Sequence, residues 1–327
     1  MTTRLGFLGL GWIGRSRLEA ILRDGIAVAT AVSDPSPDAI RAALAIAPGA
    51  AVAEGLDQML EMRLDGIVIA TPSALHAEQA AAALRSGAAV FCQKPLGRSA
   101  SETEGVVQAA RSADRLLGVD FSYRDTRAMA AVHEIVRSGE IGTIYAADLT
   151  FHNAYGPDKA WFHQPALAGG GCVMDLGIHL VDLALWMSGG AAVVKISSRL
   201  FAKGLPLPPD PDVIEDYAVA QLDLDDGQVV RMACSWNLPA GCDAVIDATF
   251  YGTAGAASFR NVGGSFYDFV AERFDGTRRT KVVAPPDDWS GRTAAAWARR
   301  LAGNRAFDPA IQEANAVALV VDRIYGR

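Results

Sequence analysis

Two folding patterns in succession predict an α/β protein. A doubly wound parallel sheet comes first, and an α+β domain with a large, mostly antiparallel open sheet follows. Three observations carry this expectation. Apolar runs at residues 5–8, 26–32, 66–70, 88–92 and 116–120 alternate with Ala-rich helical stretches. A glycine turn, Gly9-Leu10-Gly11-Trp12-Ile13-Gly14, joins the first run to the first helix. Beyond residue 124 the strand-like segments follow one another through turn signals at Asp225-Asp226-Gly227, Gly252-Thr253-Ala254-Gly255 and Asp275-Gly276.

The opening segment is the most specific. Residues 5–8 read as a strand, and Ile13, Arg17, Leu18, Ile21 and Leu22 carry the spacing of an amphipathic helix. The second apolar run ends in Ser33-Asp34, about 20 residues past Gly14, which completes the dinucleotide-binding Rossmann fingerprint. In that fingerprint the first glycine makes the tight turn, the second lets backbone approach a pyrophosphate, and the third lets helix pack on strand. The helix start then offers N–H groups to the phosphates. The expected cofactor contacts are therefore Gly9, Gly11, Trp12, Ile13, Gly14 and Asp34. A carboxylate at Asp34 accepts from a ribose 2′-OH and repels a 2′-phosphate, so NAD is expected over NADP. A secretory leader does not fit residues 5–13, which are broken by Gly6, Gly9 and Gly11 and lack a small-residue cleavage site.

Further along, residues 74–85 and 101–113 read as helices, the second opened by a Ser101/Glu104 capping box. The alternation breaks near residues 121–124. This gives a Rossmann domain over residues 1–122 and a substrate-binding and oligomerisation domain over 123–327. In the second domain a helix over 129–137 precedes a strand over 143–151, an aromatic and Gly-rich loop, and a helix over 172–187. The Pro-rich stretch Leu205–Pro211 reads as a loop. A final helix over 309–324 either stays with this domain or folds back on the first.

With 50% apolar and 20% charged residues the composition is globular, and a net charge of −7 without basic runs argues against nucleic acid or an anionic membrane as partner. No stretch reads as long and apolar enough to span a bilayer. Cys92, Cys172, Cys234 and Cys242 show no metal-ligand spacing, so reduced thiols in a cytoplasmic protein are expected, with no metal site.

Two clusters beyond the glycine turn carry reactive groups. Lys94 directly follows the run 88–92, at the ligand-binding end of a parallel sheet, where an ammonium can stabilise charge on a substrate oxygen. A solvated loop lysine fits the same position. Gly169-Gly170-Gly171 leads into a helix with Asp175 and His179 at i and i+4, and Asp182 extends that face. Histidine suits proton transfer near neutral pH, and an Asp one turn away can orient it. The triple glycine is expected to let backbone approach a ligand. An ordinary surface pair after a Gly-rich turn is the alternative. Tyr155 and His163, in the loop before this helix, and Tyr123, which opens the second domain beside Arg124, are candidate substrate contacts. His133 reads as a packing or surface residue.

In combination these features resemble the glucose–fructose oxidoreductase, inositol dehydrogenase and rhizopine catabolism (Gfo/Idh/MocA) family. The resemblance rests on the glycine fingerprint, on Lys94-Pro95 after the fifth strand, and on the Gly169-Gly170-Gly171…Asp175-x-x-x-His179 helix. It extends over nearly the whole chain, through Thr71-Pro72…His76 after the fourth strand and Ser138-Gly139-Glu140-Ile141-Gly142 entering the second domain. It implies that the first domain binds NAD or NADP and that the second binds substrate and forms a homodimer or homotetramer through its sheet. The family's catalytic lysine, aspartate and histidine fall on Lys94, Asp175 and His179. Its nicotinamide-side contacts fall on Thr71, Pro72 and His76, beside Lys94. Two positions depart from the pattern: Gln93 stands where a glutamate is usual, removing a charge near Lys94, and Ser73 stands where an asparagine is usual.

The expected activity is NAD(P)-dependent hydride transfer at a secondary alcohol or ketone of a sugar, polyol or related small molecule. The cleft between the domains would close to assemble the catalytic groups. Two other classes stay open: an NAD-dependent redox-assisted glycoside hydrolase or lyase of the same fold, and a non-catalytic NAD-binding protein.

Overall fold

The computed structural model describes residues 2–208, 213–287 and 289–327. The chain divides into two compact units, Met1–Ser122 with Ser290–Asn315 and Tyr123–Trp289 with Ala316–Arg327.

In the first unit the order is β1 (Thr3–Leu8), α1 (Trp12–Arg23), β2 (Ala27–Ser33), α2 (Pro37–Ile46), β3 (Ala51–Val52), α3 (Leu56–Glu61), β4 (Gly66–Ile69), α4 (Ser73–Arg85), β5 (Ala89–Cys92), α5 (Ala100–Ala113) and β6 (Leu117–Val119). The strands lie parallel in the order β3-β2-β1-β4-β5-β6. Strands β4 and β5 are buried at every position, which is why they read as unbroken apolar runs and not as alternating ones. The exposed two-residue β3 and the short α3 carry no periodicity to read. The cap of α5 also differs from expectation. Ser99, not Ser101, accepts the Glu102 N–H, and the Glu104 side chain turns to Gln108 and Asn315.

In the second unit α6 (Arg127–Arg137), β7 (Ile144–Asn153), α7 (Pro165–Ala168), a π-helical turn Val173–Gly177 and α8 (Ile178–Met187) come first. Strands β8 (Val193–Ala202), β9 (Leu205–Pro206), β10 (Tyr217–Leu224), β11 (Val229–Ser235), β12 (Ala244–Gly252), β13 (Gly255–Asn261), β14 (Phe269–Asp275) and β15 (Arg278–Val283) follow. They form one sheet in the order β15-β14-β13-β12-β7-β11-β10-β8-β9, antiparallel except where β7 meets β11. Helix α6 packs on β13 and β14, and α8 packs on β7. Along β7 the buried Ala147, Leu149 and Phe151 alternate with the less buried Asp148, Thr150 and His152, the period of a sheet covered on one face. The Pro-rich loop expected over 205–211 is in part an edge strand, since Leu205 and Pro206 pair with β8; residues 209–211 lie outside the described residues.

Two further expectations need correction. The stretch Pro165–Met187 is long and apolar enough to pass as a membrane span, yet 83% of its most apolar window is buried in the protein. It is a core segment of the second unit. The second domain does not take the whole of residues 123–327, because Ser290–Asn315, carrying α9 (Arg292–Gly303), returns to the first unit. Most of α10 (Gln312–Tyr325) belongs to the second unit. Helix α9 places Trp297, Ala298 and Leu301 in one core with Leu5 and Phe91. A Cβ at Gly66 or Gly118 would come within 2.8 Å of the Trp297 ring, so the sheet is narrowed there to admit it. Trp297→Ala should therefore cost about 3–5 kcal/mol in urea unfolding. A loss below about 1 kcal/mol would show that α9 is not part of this core.

Candidate active site

The glycine turn is built for close approach on two sides and for access on the third. Gly9 has φ +87°, and a Cβ there would stand 2.5 Å from the Ala70 carbonyl group; one at Gly14 would stand 2.0 Å from the Gly9 carbonyl oxygen. A Cβ at Gly11 meets nothing within 4 Å. That open side lies at the start of α1, where no side chain caps the helix and the first turn holds no acid. These features fit a pyrophosphate cradle at a helix N-terminus. Trp12 is exposed beside it, and Ile13 is half-buried. Asp34, at the end of β2, accepts the Leu10 N–H at 2.6 Å and the Ser36 N–H at 2.8 Å. It remains partly exposed, with lone pairs for a ribose hydroxyl.

The ends of β4 and β5 are tied together by His76. Its Nδ1 lies 2.7 Å from the Pro95 carbonyl oxygen and its Nε2 2.7 Å from that of Thr71. The ring is buried, and burial lowers its pKa against the opposing pull of the two carbonyls. The neutral ring donates from one nitrogen to one of these carbonyls, and, buried between the two ligand-side loops, His76 is a strut between them and not the cofactor contact expected of it. The Thr71 hydroxyl donates to Gln79 at 2.6 Å, and Pro72 sits at the N-cap of α4.

Lys94 is half-exposed and follows the buried Gln93. The Gln93 amide donates to Asp120 Oδ2, which also accepts Arg17 Nε at 2.6 Å; all three side chains are buried. This accounts for the departure at position 93. An amide can donate to a carboxylate that a glutamate would repel, and Arg17 already balances the single charge of Asp120.

In the second unit Asp175 lies in the π-helical turn and His179 in the first turn of α8. Such turns are frequent at functional sites. Asp175 is half-buried, and its Oδ2 accepts the indole N–H of Trp236 at 3.1 Å. His179 is buried, with the Tyr123 ring edge-on to it at 4.9 Å. Sequence reasoning missed Trp236, an isolated aromatic 61 residues from its partner. Asp182 does not extend the reactive face. It is buried and takes a bidentate pair from Arg124.

Tyr123, expected as a substrate contact where the second domain opens, is not exposed for that role. It is buried among Phe151, His179, Phe259, Phe269 and Trp289, and burial, with the Asp175 charge adding, pushes its phenol far above the usual range. Tyr155 and His163 are exposed, and His163 stands 5.9 Å from the Trp236 ring. The triple glycine also differs from expectation, because Gly170 and Gly171 face protein groups, Tyr325 and Glu215, and not a ligand.

Fold and fingerprint together define a dinucleotide-dependent oxidoreductase. Residues 3–121 match the oxidoreductase family with NAD-binding Rossmann fold, and residues 129–258 match the GFO/IDH/MocA C-terminal domain. A proposed UDP-kanosamine synthase oxidoreductase subunit of Amycolatopsis mediterranei is 32% identical over 278 residues, covering 80% of this chain and 75% of that protein. The rhizopine catabolism protein MocA of Rhizobium meliloti is 28% identical over 261 residues, covering 79% and 78%. Among solved structures, levoglucosan dehydrogenase in complex with NADH superposes with a TM-score of 0.83 at 21% identity, over 99% of this chain and 96% of that one, a likeness of fold. The chain belongs to the GFO/IDH/MocA family of oxidoreductases.

Gln93→Glu should lose about 2–4 kcal/mol of stability at pH 8 by placing a second carboxylate beside Asp120. Repulsion and burial raise the pKa of the new carboxyl above its unfolded value. The penalty therefore grows as pH rises through that raised value and vanishes below about pH 4. Denaturant unfolding of both proteins across pH checks this, and a loss that does not vary with pH contradicts it.

Proposed function

We propose that this enzyme oxidises a secondary alcohol of a sugar, polyol or related small molecule, or reduces the matching ketone, with NAD as the exchangeable partner. The observation that carries the assignment of roles is the pairing of a half-buried, Trp236-held Asp175 with the buried His179 on one helical segment. The sugar chemistry in the names of the relatives supports the substrate class.

When bound, the nicotinamide supplies the hydride acceptor or donor. Gly9, Gly11, Trp12, Ile13 and Gly14 hold the dinucleotide at the start of α1, with Thr71 and Pro72 on the nicotinamide side. Asp34 accepts from the ribose and repels a 2′-phosphate. In the oxidation direction His179 takes the hydroxyl proton, Asp175 stabilises the imidazolium, and the Lys94 ammonium stabilises the developing alkoxide. Tyr155 and His163 contact the substrate from the loop before α7. Tyr123 holds the face of His179 and stays neutral. The polar, uncovered face of the nine-stranded sheet, with Asp148, Gln221 and Arg231, is the surface through which we place a homo-oligomer. A cytoplasmic setting suits the four free thiols.

Screening aldoses, inositols, sugar acids and glycosides for NADH formation identifies the substrate. With the best of these, His179→Ala and Lys94→Met should each lower kcat about a hundred- to ten-thousand-fold while the Kd for NAD changes little. His133→Ala, whose ring stacks on Trp186, is the control and should turn over normally. A His179→Ala protein with most of its turnover would show that the base is misassigned. Asp34→Ser should narrow the preference for NAD over NADP; equal kcat/KM for the two cofactors in the unaltered enzyme would refute the role of Asp34.

A further inference from the structure

The segment bearing Asp175 and His179 begins with a problem every helix has: its first four N–H groups have no partner within the helix. Here the regular ladder opens with Asp175 N–H donating to the Gly171 carbonyl at 3.0 Å. That leaves the N–H groups of Gly171, Cys172, Val173 and Met174 to be satisfied elsewhere. The buried carboxylate of Glu215 accepts Gly171 N–H at 3.0 Å and Val173 N–H at 2.9 Å. The backbone carbonyl of the same residue accepts Cys172 N–H at 3.1 Å. The Tyr325 hydroxyl accepts Met174 N–H at 3.2 Å and donates to Glu215 Oε1 at 2.8 Å.

Two residues, 42 or more positions away in sequence, thus serve all four donors. The glycines are what admit them. A Cβ at Gly171 would stand 1.9 Å from the Glu215 carbonyl oxygen, and one at Gly170 would stand 2.0 Å from the Tyr325 hydroxyl. Every group hydrogen-bonded to the Glu215 carboxyl oxygens is a donor, so both oxygens serve as acceptors at the N-terminal end of the segment. Burial raises its pKa, and the hydrogen bonds from Val173, Tyr325 and Gly171 offset only part of that rise.

We propose that Glu215 and Tyr325 are positioning residues for the reaction: together they fix the first turn of the segment, and so the place of Asp175 and, one turn on, His179. This rests on the reading of Asp175 and His179 given above. Neither Glu215 nor Tyr325 exchanges a proton with substrate. Their effect on turnover passes through the two groups they hold, and a 1 Å displacement of such groups costs on the order of a hundredfold in rate.

The test uses Tyr325→Phe, which keeps the ring and removes only the hydroxyl, and Glu215→Gln, which replaces one acceptor by a donor facing other donors. With the best substrate of the panel, Tyr325→Phe should lower kcat about tenfold, with the KM and Kd for NAD little changed. Amide exchange at residues 171–174 should quicken about tenfold or more while exchange in β4 and β5 stays as it was. In the His179→Ala background the same substitution should lower kcat no further, because the group it positions is gone. Glu215→Gln should behave likewise with a larger loss, and if it fails to fold, Tyr325→Phe alone decides. An equal fold-loss from Tyr325→Phe in both backgrounds, or unchanged exchange at residues 171–174, overturns the proposal while leaving the role of His179 intact. Full turnover in His179→Ala by itself instead sinks that role and the coupling argued from it.

Discussion

The unpaired N–H groups at a helix start are the constraint on which both working parts of this protein depend, and the two units meet it in opposite ways. At α1 the start is left without a side-chain cap or an acid, and a glycine with open space beside it faces outward. The polar demand of that helix is kept for a ligand that brings negative charge. At the π-helical turn before α8 the same demand is met inside the protein, by the carboxylate of Glu215 and the hydroxyl of Tyr325. An open helix start binds, and a closed one holds. Glycine serves both, at Gly11 by leaving room for a ligand and at Gly171 by leaving room for a carbonyl of the protein itself.

A similar economy governs the buried charges. Asp120 takes Arg17 and Gln93, and Asp182 takes Arg124, so each of these two buried acids is matched by one cation, whereas Glu215 is met by backbone N–H groups and a hydroxyl. Such pairs contribute little net stability against an apolar alternative, but removing one partner leaves a charge stranded and is expensive. Their value here is geometric. Gln93 precedes Lys94 and is pinned to the end of β6, while His76 pins the following Pro95 to the end of β4. The flexible lysine therefore projects from a backbone fixed on both sides.

Much of the fold was legible because its signals are local. The β1–α1–β2 unit, the fully apolar β4 and β5, and the turn-separated strands of the second sheet are each written in contiguous residues with a clear period. The errors came where partners are distant. Trp297 fills space left by Gly66 and Gly118, a fit no periodicity reveals, so the return of α9 to the first unit went unread. His76 and Tyr123 looked like site residues by position, yet contacts with carbonyls and with an aromatic cluster give them structural roles. Trp236, Glu215 and Tyr325 carried no motif at all, and their meaning lies in hydrogen bonds across 61, 44 and 151 residues of sequence. The triple glycine was visible, but what it admits was not.

The central claim is net oxidoreduction with an exchangeable dinucleotide, and the fate of one hydrogen tests it most directly. A substrate deuterated at the reacting carbon, incubated with excess NAD, should yield ketone and NADH in equal amounts, with the label on the NADH released to solution. Label recovered instead on a cleaved sugar, with a trace of NAD sufficing for many turnovers, would contradict the account and establish redox-assisted bond cleavage in its place.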